Sequence, residues 1–286
     1  MKQLAAECLV VQHMLGETCI PRNPHRIVTL WPNILGNTLA LNVKPVASTY
    51  YTAQILPELH DQGDGIEFVG NITEPNLEKI LLLKPDLILA NSKLQNIYEQ
   101  LSYIAPTVIM DLPFPPPPWK QQLIELANVL GKKEAANSLI DEYWQRIEKL
   151  QQALGDRRRQ MQVSVATVSL NHGIYAYGQN HPVGRVLNDL RIQRPPAQRR
   201  DFYYLSNISE EHLSDIDGDV LFFLYWRGKD AKEVLEKFQQ KPLWRQLKAV
   251  QHNQVYFVNA AYWHETDILS INAVIDDLFK YLVNTP

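Results

Sequence analysis

EKILLLKPDLIL, residues 78–89, and EHLSDIDGDVLF, residues 211–222, align without a gap. Glutamate opens both segments, apolar residues follow at matching positions, and Asp86 and Asp219 stand before the last apolar run. Each segment predicts a short helix, a turn and a buried strand. A helix–turn–strand unit that occurs twice in one chain predicts two similar α/β lobes.

The same alternation of strand and helix patterns extends through both halves of the chain. Short apolar, β-branched runs predict strands at residues 26–30, 45–48, 86–90, 107–110, 163–169, 220–224 and 255–258. Helical patterns fall at residues 34–41, 75–83, 95–103, 183–190, 210–216, 230–239 and 269–282. This alternation indicates an α/β fold in which parallel sheets carry helices on both faces.

A proline segment and two helical patterns separate the halves. Residues 114–119 read FPPPPW, and four consecutive prolines form a stiff, extended segment. The alternative, a proline-rich ligand for a partner protein, lacks proline-rich surroundings. Helical patterns follow at 119–130, before Gly131, and at 132–154 with one apolar stripe of Leu139, Tyr143, Ile147, Leu150 and Leu154. We therefore predict an N-terminal lobe of residues 1–118, linking helices at 119–155 and a C-terminal lobe of residues 156–286.

The composition is that of an ordinary globular protein. Of 286 residues, 45% are hydrophobic and 21% are charged. The net charge of −3 gives no reason to expect nucleic acid or an anionic membrane as a partner. No apolar run reaches the length of about 18 residues that predicts a membrane span. Residues 1–8, MKQLAAEC, lack the apolar stretch of a secretion signal, so either the protein is cytoplasmic or a signal has been removed.

Cys8 and Cys19 are the two cysteines of the chain. Gly16 offers a turn between them, so residues 8–19, CLVVQHMLGETC, suit a hairpin closed by a disulfide. In a cytosolic protein the alternative would be two independent buried thiols. A zinc site is disfavoured, because His13 is the only other histidine or cysteine within this segment.

Motifs of common enzymes are absent from the sequence. It contains no GxGxxG, no Walker loop, no GxSxG and no HExxH. HETD, residues 264–267, places imidazole and carboxylate groups together, and we interpret it as an exposed loop. We therefore expect no catalytic residues and no directly bound metal.

Aromatic, polar and cationic side chains gather instead in the loops that follow the predicted strands. Ligands of open α/β sheets bind outside the carboxyl ends of the strands, so we expect these loops to line a cleft between the two lobes. Flat aromatic faces and forked guanidinium donors suit a bulky, oxygen-rich chelate better than a bare metal ion. The candidate ligand-binding residues are Trp31, Tyr50, Tyr51, Ser92, His172, Tyr177, Arg194, Arg199, Trp226, Arg227 and Trp263.

A set of short motifs resembles the iron-siderophore periplasmic binding proteins. In chain order they are PHRIVTL (24–30), LALNVKPVA (39–47), NLEKI (76–80), KPDLI (84–88), IAP (104–106), LG (130–131), PLW (242–244) and VYFV (255–258). They span nearly the whole chain from Pro21 onward, and the ordered set is more specific than any one motif. The two-cysteine hairpin is similar to that of cyanobacterial members.

This resemblance implies a monomeric substrate-binding protein of an ABC importer, with two Rossmann-like lobes joined by one long helix. It implies a ferric siderophore of the hydroxamate or citrate type as the transported ligand, with no cofactor. It also implies export to the periplasm and a lipid anchor on a cysteine upstream of this chain, because Glu7 does not suit Cys8 to that role. Members dock a permease and ATPase complex through one acidic residue on each lobe, and the aligned Glu78 and Glu211 are the candidates.

One position departs from hydroxamate-binding relatives, some of which carry an arginine two residues before the motif EPNLE (74–78). Ile72 stands there, so the ligand's anionic oxygens would be met mainly by the second lobe, through Arg194, Arg227 and Arg199. Haem or a cobalamin stays an alternative ligand of the same fold. A two-lobed glycosyltransferase-like enzyme would need a phosphate-binding glycine loop that the sequence lacks. The sensor domain of a regulator would need an attached DNA-binding segment.

Overall fold

The structure is a computed structural model, and it describes residues 8–51, 59, 62–169, 173–226 and 229–284. The chain forms two compact units, Met1–Ile140 with Asp267–Leu269 and Asp141–Thr266 with Ser270–Pro286. The boundary between them falls inside one helix, Lys133–Leu154. None of the described helices is long and apolar enough to cross a membrane.

The first unit begins with a hairpin and continues as an alternation of strands and helices. Its strands are β1 (Cys8–His13), β2 (Gly16–Pro21), β3 (Ile27–Thr29), β4 (Ala47–Tyr50), β5 (Glu67–Asn71), β6 (Leu87–Asn91) and β7 (Thr107–Met110). Its helices are α1 (Pro32–Ala40), α2 (Leu77–Leu82), α3 (Tyr98–Ile104) and α4 (Trp119–Val129), and α5 (Lys133–Leu154) leads out of it. A 3-10 helix, Ser92–Ile97, precedes α3 and takes up part of the helix predicted at 95–103.

The first sheet confirms the predicted parallel arrangement. Its strands lie in the order β5–β4–β3–β6–β7, and each neighbouring pair is parallel. Val28, Ile88 and Ile109 are fully buried in it, together with Ile80 of α2 and Leu101 of α3. The edge strand β5 was not predicted, because only one residue of its sequence EFVGN is buried and the apolar pattern is correspondingly weak.

The N-terminal hairpin of β1 and β2 packs beside β7. Its strands are antiparallel, with Cys8 opposite Pro21. A disulfide joins Cys8 to Cys19, whose Cα atoms are 5.6 Å apart, and this confirms the predicted bridge. The Met14 N–H donates to the carbonyl of Ile109 over 3.1 Å, so the turn of the hairpin lies near the carboxyl end of β7.

Helices α4 and α5 follow the proline segment, as predicted. The apolar stripe of α5 is buried at Tyr143, Ile147, Leu150 and Leu154. Tyr143 Oη donates to Asp189 Oδ2 over 2.6 Å, which fixes this part of α5 within the second unit. With 22 residues, α5 is about 33 Å long.

The second unit repeats the alternation with two additional strands. Its strands are β8 (Val163–Ser169), β9 (Gly173–Tyr177), β10 (Tyr204–Ile208), β11 (Val220–Tyr225) and β12 (Val255–Asn259). Its helices are α6 (Arg157–Gln160), α7 (Pro182–Asp189), α8 (Lys229–Gln239), α9 (Lys248–Gln251), α10 (Ala260–Trp263) and α11 (Ile268–Leu282). Short 3-10 helices occupy Pro196–Arg199, Glu210–Ile216 and Trp244–Gln246.

The second sheet differs from the expected parallel sheet on one side. Its order is β10–β9–β8–β11–β12; β8, β11 and β12 are parallel, whereas β9 and β10 run antiparallel to their neighbours. The sequence analysis missed β9 and β10. The reason is physical: β10 is an edge strand, exposed at Tyr204 and Leu205, so its sequence lacks the continuous apolar run of a buried parallel strand.

The repeated sequence corresponds to a repeated structure. Asp86 accepts hydrogen bonds from the backbone N–H groups of His25 and Arg26, just before β3. Asp219 accepts from the backbone N–H of Gln162, just before β8, over 2.7 Å. Asp86 precedes β6 and fixes the beginning of the neighbouring parallel strand β3. Asp219 precedes β11 and fixes the beginning of the neighbouring parallel strand β8. The two halves of the alignment are therefore equivalent in three dimensions.

Candidate ligand-binding residues

Five rings from separate loops of the second unit form one cluster. His181 lies 4.3 Å from Tyr177, 4.7 Å from Tyr203 and 5.5 Å from His264 between ring centroids. Trp226 lies 5.6 Å from His264, and Tyr177 Oη is 3.2 Å from His264 Nδ1. Tyr177 and His181 are fully buried, Tyr203 is nearly so, and Trp226 and His264 are half-buried. The cluster thus has a closed floor and an accessible side formed by Trp226 and His264.

A tight turn before α7 fixes the floor of this cluster. His181 is the N-cap of α7, with Pro182 in the first turn, and its Nδ1 accepts from the Val183 N–H at 3.4 Å. Gly184 approaches the backbone so closely that a Cβ there would lie 2.0 Å from the Gly178 carbonyl oxygen. Only glycine fits at this position, so the first turn of α7 packs directly against the backbone that follows β9.

Both histidines of the cluster are neutral at ordinary pH. Burial lowers the pKa of His181 well below its usual value, and the neighbouring His264 and Arg194 lower it further. Burial lowers the pKa of His264 to about 4. Since His181 Nδ1 accepts a hydrogen bond, its proton sits on Nε2, which has no partner among the described residues. The accessible side of the cluster can offer the rings of Trp226 and His264 to a ligand, but little positive charge of its own.

The structure corrects the role that we expected for Arg194. Its side chain is buried, and Nη2 donates to the carbonyl of Tyr177 (2.5 Å) and to Gln198 Oε1 (2.7 Å). Gln198 in turn donates to Ser164 Oγ and accepts from the Val165 N–H. Burial lowers the pKa of Arg194 to about 9, so it stays charged at neutral pH. Arg194 therefore holds β9 to the rest of the unit through Nη2 and exposes almost no surface, while its buried Nε and Nη1 have no partner among the described residues.

Two arginines close to the cluster, Arg185 and Arg199, retain exposed surface. Arg199 is exposed, and its Nε donates to the carbonyl of Arg194 over 2.6 Å. Arg185, in the first turns of α7, is half-buried and donates from Nε to the carbonyl of Asn180. The sequence analysis did not select Arg185. Arg185 lies in the helix directly after the predicted Tyr177 loop, and this position could have identified it as a candidate ligand contact.

In the first unit, three candidates lie at the carboxyl ends of parallel strands. Trp31 follows β3 as the half-buried N-cap residue of α1, and Tyr51 follows β4 with 42% of its surface exposed. Ser92 follows β6, and its Oγ accepts from the Leu112 N–H over 3.0 Å, which links the loops after β6 and β7. The first unit therefore presents aromatic and hydroxyl groups at the predicted edge of its sheet.

Two aromatic candidates are interior residues, contrary to expectation. Tyr50 is 2% exposed and belongs to a core cluster with Leu35 and Leu39. Trp263 has no exposed surface; it stacks on Phe222 at 4.8 Å and donates from Nε1 to Asp277 Oδ2 over 2.8 Å. Both rings are too enclosed to contact a ligand.

The segment HETD is also different from the exposed loop that we expected. His264 is half-buried, and Glu265, Thr266 and Asp267 are buried.

Two further candidates, His172 and Arg227, lie outside the described residues. Among the residues that are described, no three histidine, cysteine, aspartate or glutamate side chains come together to hold a metal ion.

The two candidate docking residues occupy equivalent positions. Glu78 is exposed in the first turn of α2, whose N-cap Asn76 accepts from the Lys79 N–H. Glu211 is exposed in the first turn of the 3-10 helix Glu210–Ile216. Each lies at the start of the helix that leads to an aspartate and a central strand.

Both α/β units carry candidate binding groups in the loops around their parallel strands, where open α/β sheets bind ligands. The sequence comparisons identify the class more closely. The chain belongs to the periplasmic binding protein family, which matches residues 27–262.

The relatives extend over almost the whole chain. It is 33% identical over 289 residues to "Probable siderophore-binding lipoprotein YfiY" of Bacillus subtilis (strain 168), covering 96% of this chain and 88% of that protein. It is 30% identical to the ferric-anguibactin-binding protein FatB of Vibrio anguillarum, covering 95% and 87%. The solved structure of Staphylococcus aureus SirA complexed with staphyloferrin B is 28% identical, with a TM-score of 0.81 and coverage of 96% and 98%.

These comparisons confirm the family expected from the motifs and the two-lobed α/β fold. They also confirm that the chain is a substrate-binding transport protein and not a glycosyltransferase-like enzyme. The likeness of its hairpin to cyanobacterial members stays a prediction.

Proposed function

We propose that this protein binds a ferric siderophore in the periplasm and delivers it to an ABC importer. The observation that carries the proposal is the ring cluster of the second unit, which is closed at Tyr177 and His181 and accessible at Trp226 and His264. The family and the names of the relatives support it, since YfiY is named as a probable siderophore-binding lipoprotein and FatB as a ferric-anguibactin-binding protein.

The chemistry of the accessible groups fits a chelate in which iron is already wrapped by oxygen ligands. Aromatic faces such as that of Trp226 pack against the flat organic part of the chelate. The guanidinium groups of Arg185 and Arg199 donate to its anionic oxygens. The iron itself is cargo and needs no ligand from the protein. Trp31, Tyr51 and Ser92 of the first unit are proposed as additional ligand contacts.

We keep the hydroxamate or citrate type as the proposed ligand class. A citrate-type ligand has direct support among the relatives, because a Bacillus subtilis protein named Fe(3+)-citrate-binding protein YfmC is 28% identical over 290 residues. Because Ile72 stands where some hydroxamate-binding relatives carry an arginine, we propose that the second unit meets most of the ligand's anionic oxygens. The expectation that the ligand lies between the two lobes remains a prediction.

Delivery requires a membrane partner, and Glu78 and Glu211 are the residues proposed to meet it. Both are exposed and occupy equivalent positions in the repeated unit. A transporter with two related halves could receive one glutamate on each. We also propose that the protein is exported and held at the membrane by a lipid anchor, as the name lipoprotein given to YfiY suggests.

Calorimetric titration with ferric citrate, a ferric hydroxamate, a ferric catecholate, haem and cobalamin tests this function. We expect saturable binding of a hydroxamate or citrate chelate. Trp226→Ala should weaken it by at least about fivefold, because an aromatic contact contributes roughly 1 kcal/mol beyond its area. Trp144→Ala is the matched control, since Trp144 is exposed on α5. Binding of haem or cobalamin alone, or of none of the five, would refute the proposal.

A further inference from the structure

Two exposed leucines flank Glu78 on the surface of helix α2. Leu81 is 57% exposed, and Leu82 is 79% exposed, the largest value among the described leucine, isoleucine and valine side chains. They follow Glu78 by three and four residues, so the three side chains share one face of the helix, with the glutamate between the leucines. Helix α2 therefore presents a carboxylate that is bordered by apolar surface on both sides.

The packing of the first unit does not account for these leucines. The opposite face of α2 carries Ile80, which is fully buried, and Leu77 and Leu83, which pack against the same core cluster. Leu81 and Leu82 lie outside that cluster. Adjacent aliphatic side chains that are left in water are typical of a surface that contacts another molecule.

The repeated segment of the second unit has polar residues at the same two positions. In the ungapped alignment, Ser214 corresponds to Leu81 and Asp215 to Leu82. Ser214 is exposed and Asp215 is half-buried, on the same short helix as the exposed Glu211. The helix–turn–strand unit therefore folds without leucine at these positions. The two candidate docking glutamates thus differ in their surroundings, which are apolar in the first unit and polar in the second.

These surroundings favour different partner surfaces. A carboxylate between two leucines fits a basic side chain that is itself bordered by apolar residues, because their contact excludes water and strengthens the charge attraction. A carboxylate beside a hydroxyl group and a second carboxylate fits a hydrated basic surface. An apolar partner surface placed there would strip water from Asp215 without offering it a hydrogen bond, which is costly. Flanking residues of this kind select one partner surface over another even where the central charges are the same.

We propose that Glu78, Leu81 and Leu82 together dock onto one particular half of the importer, where a basic side chain is bordered by apolar residues. The polar surroundings of Glu211 direct the second unit to the other half, where the corresponding surface is hydrophilic. The protein consequently docks in one of the two orientations that a pair of equivalent glutamates would allow. This inference rests on the docking role proposed for the two glutamates and adds the side chains that select the orientation.

The affinity of the protein for the reconstituted permease and ATPase complex in lipid nanodiscs, measured by biolayer interferometry, tests the proposal. Leu81→Gln with Leu82→Gln preserves the helix propensity of α2. This variant should dock at least about tenfold more weakly, since burial of one leucine side chain contributes about that factor. The control is Val10→Gln with Met14→Gln in the N-terminal hairpin, where the side chains are 56% and 46% exposed, and it should dock like the wild type. Both variants should keep calorimetric binding of the ferric chelate that the wild type binds, which shows that they are folded.

Photo-crosslinking measures the orientation directly. Lys79→Cys and Ser214→Cys, both at exposed positions, are each labelled with a benzophenone reagent, while the native cysteines are protected by their disulfide. The label at position 79 should react with one permease subunit, and the label at position 214 with the other. With both leucines replaced by glutamine, each label should react with both subunits.

Four results would overturn the proposal. They are wild-type affinity of the leucine variant, equal loss in both double variants, labelling of both subunits from either position with the leucines intact, and binding to empty nanodiscs that the leucine substitutions abolish. The last would show that the leucines contact lipid instead of the importer. A wild-type protein that binds none of the chelates, or that does not dock at all, would refute the proposed function together with this inference, so the two failures are distinguishable.

Discussion

Acidification should destabilise the second unit through His264. Its folded-state pKa is about 4, whereas an unfolded histidine has a pKa of about 6.5. Between these values the unfolded chain binds the proton more readily, so stability is complete above about pH 6.5 and is lost as the pH falls toward 4. At about pH 4.5 the loss amounts to roughly 2.5 kcal/mol. Because the ring of His264 is half-buried and water lowers the cost of charging it, this figure is an upper limit.

His181 should act in the same direction. A proton on its Nδ1 would remove the acceptor of the Val183 N–H and place a positive charge at the N-terminus of α7. His264, 5.5 Å away between ring centroids, would repel it further if both were charged.

Urea unfolding followed by circular dichroism at about pH 7 and about pH 4.5 measures the effect. In His264→Gln the amide oxygen can still accept from Tyr177 Oη, but the titrating group is gone. The loss of unfolding free energy between the two pH values should therefore be smaller in this variant by up to about 2.5 kcal/mol. His252→Gln, at an exposed position, is the control and should follow the wild type. Equal losses in the wild type and His264→Gln would refute the reasoning.

Three further outcomes are expected. Reduction of the hairpin disulfide, whose cysteines are 11 residues apart, should lower the free energy of unfolding by about 3 kcal/mol; an unchanged urea midpoint would contradict this. Glu78→Lys with Glu211→Lys should abolish uptake by a reconstituted importer but leave calorimetric ligand binding intact. Each exposed contact alone contributes under about 1 kcal/mol, but two contacts carried by one protein reinforce each other, so losing both should prevent docking. Normal uptake by that variant would disprove the docking assignment. Gln198→Leu should cost about 2–4 kcal/mol in thermal unfolding, because it leaves the buried Val165 N–H without its acceptor; a cost no larger than that of exposed Gln251→Leu would contradict it.

The sequence predicted correctly those strands and helices whose apolar pattern lies within the element itself. Strands β7 and β8 have the predicted bounds, because each begins with a continuous run of buried residues that can be recognised without knowing the neighbouring strands. Helix α5 begins one residue from its predicted start, since an apolar stripe over 22 residues can belong to one face of a helix only.

The candidate site was less predictable, because residue type and loop position do not reveal burial. Trp263 follows β12 as Trp226 follows β11, yet the turn of α10 directs Trp263 onto Phe222 while Trp226 keeps exposed surface. His181 and His264 are distant in sequence, and only the folded chain brings their rings together. Arg194 resembled a ligand arginine in the sequence, but the acceptors that it needs, Tyr177 O and Gln198 Oε1, are set by tertiary structure.

The internal repeat explains where the units agree and where they differ. Asp86 and Asp219 hold equivalent strand beginnings, so the glutamates that open the aligned segments stand at equivalent places, as a two-fold partner would require. The equivalence ends at β9 and β10, which run antiparallel and have no counterpart in the first sheet. Tyr177 ends β9, His181 begins the helix after it, and Tyr203 precedes β10. The ring cluster therefore belongs mainly to the part of the second unit that is not repeated. The repeated part carries one exposed glutamate in each unit, and the unrepeated part contains most of the aromatic and imidazole groups that we propose as ligand contacts.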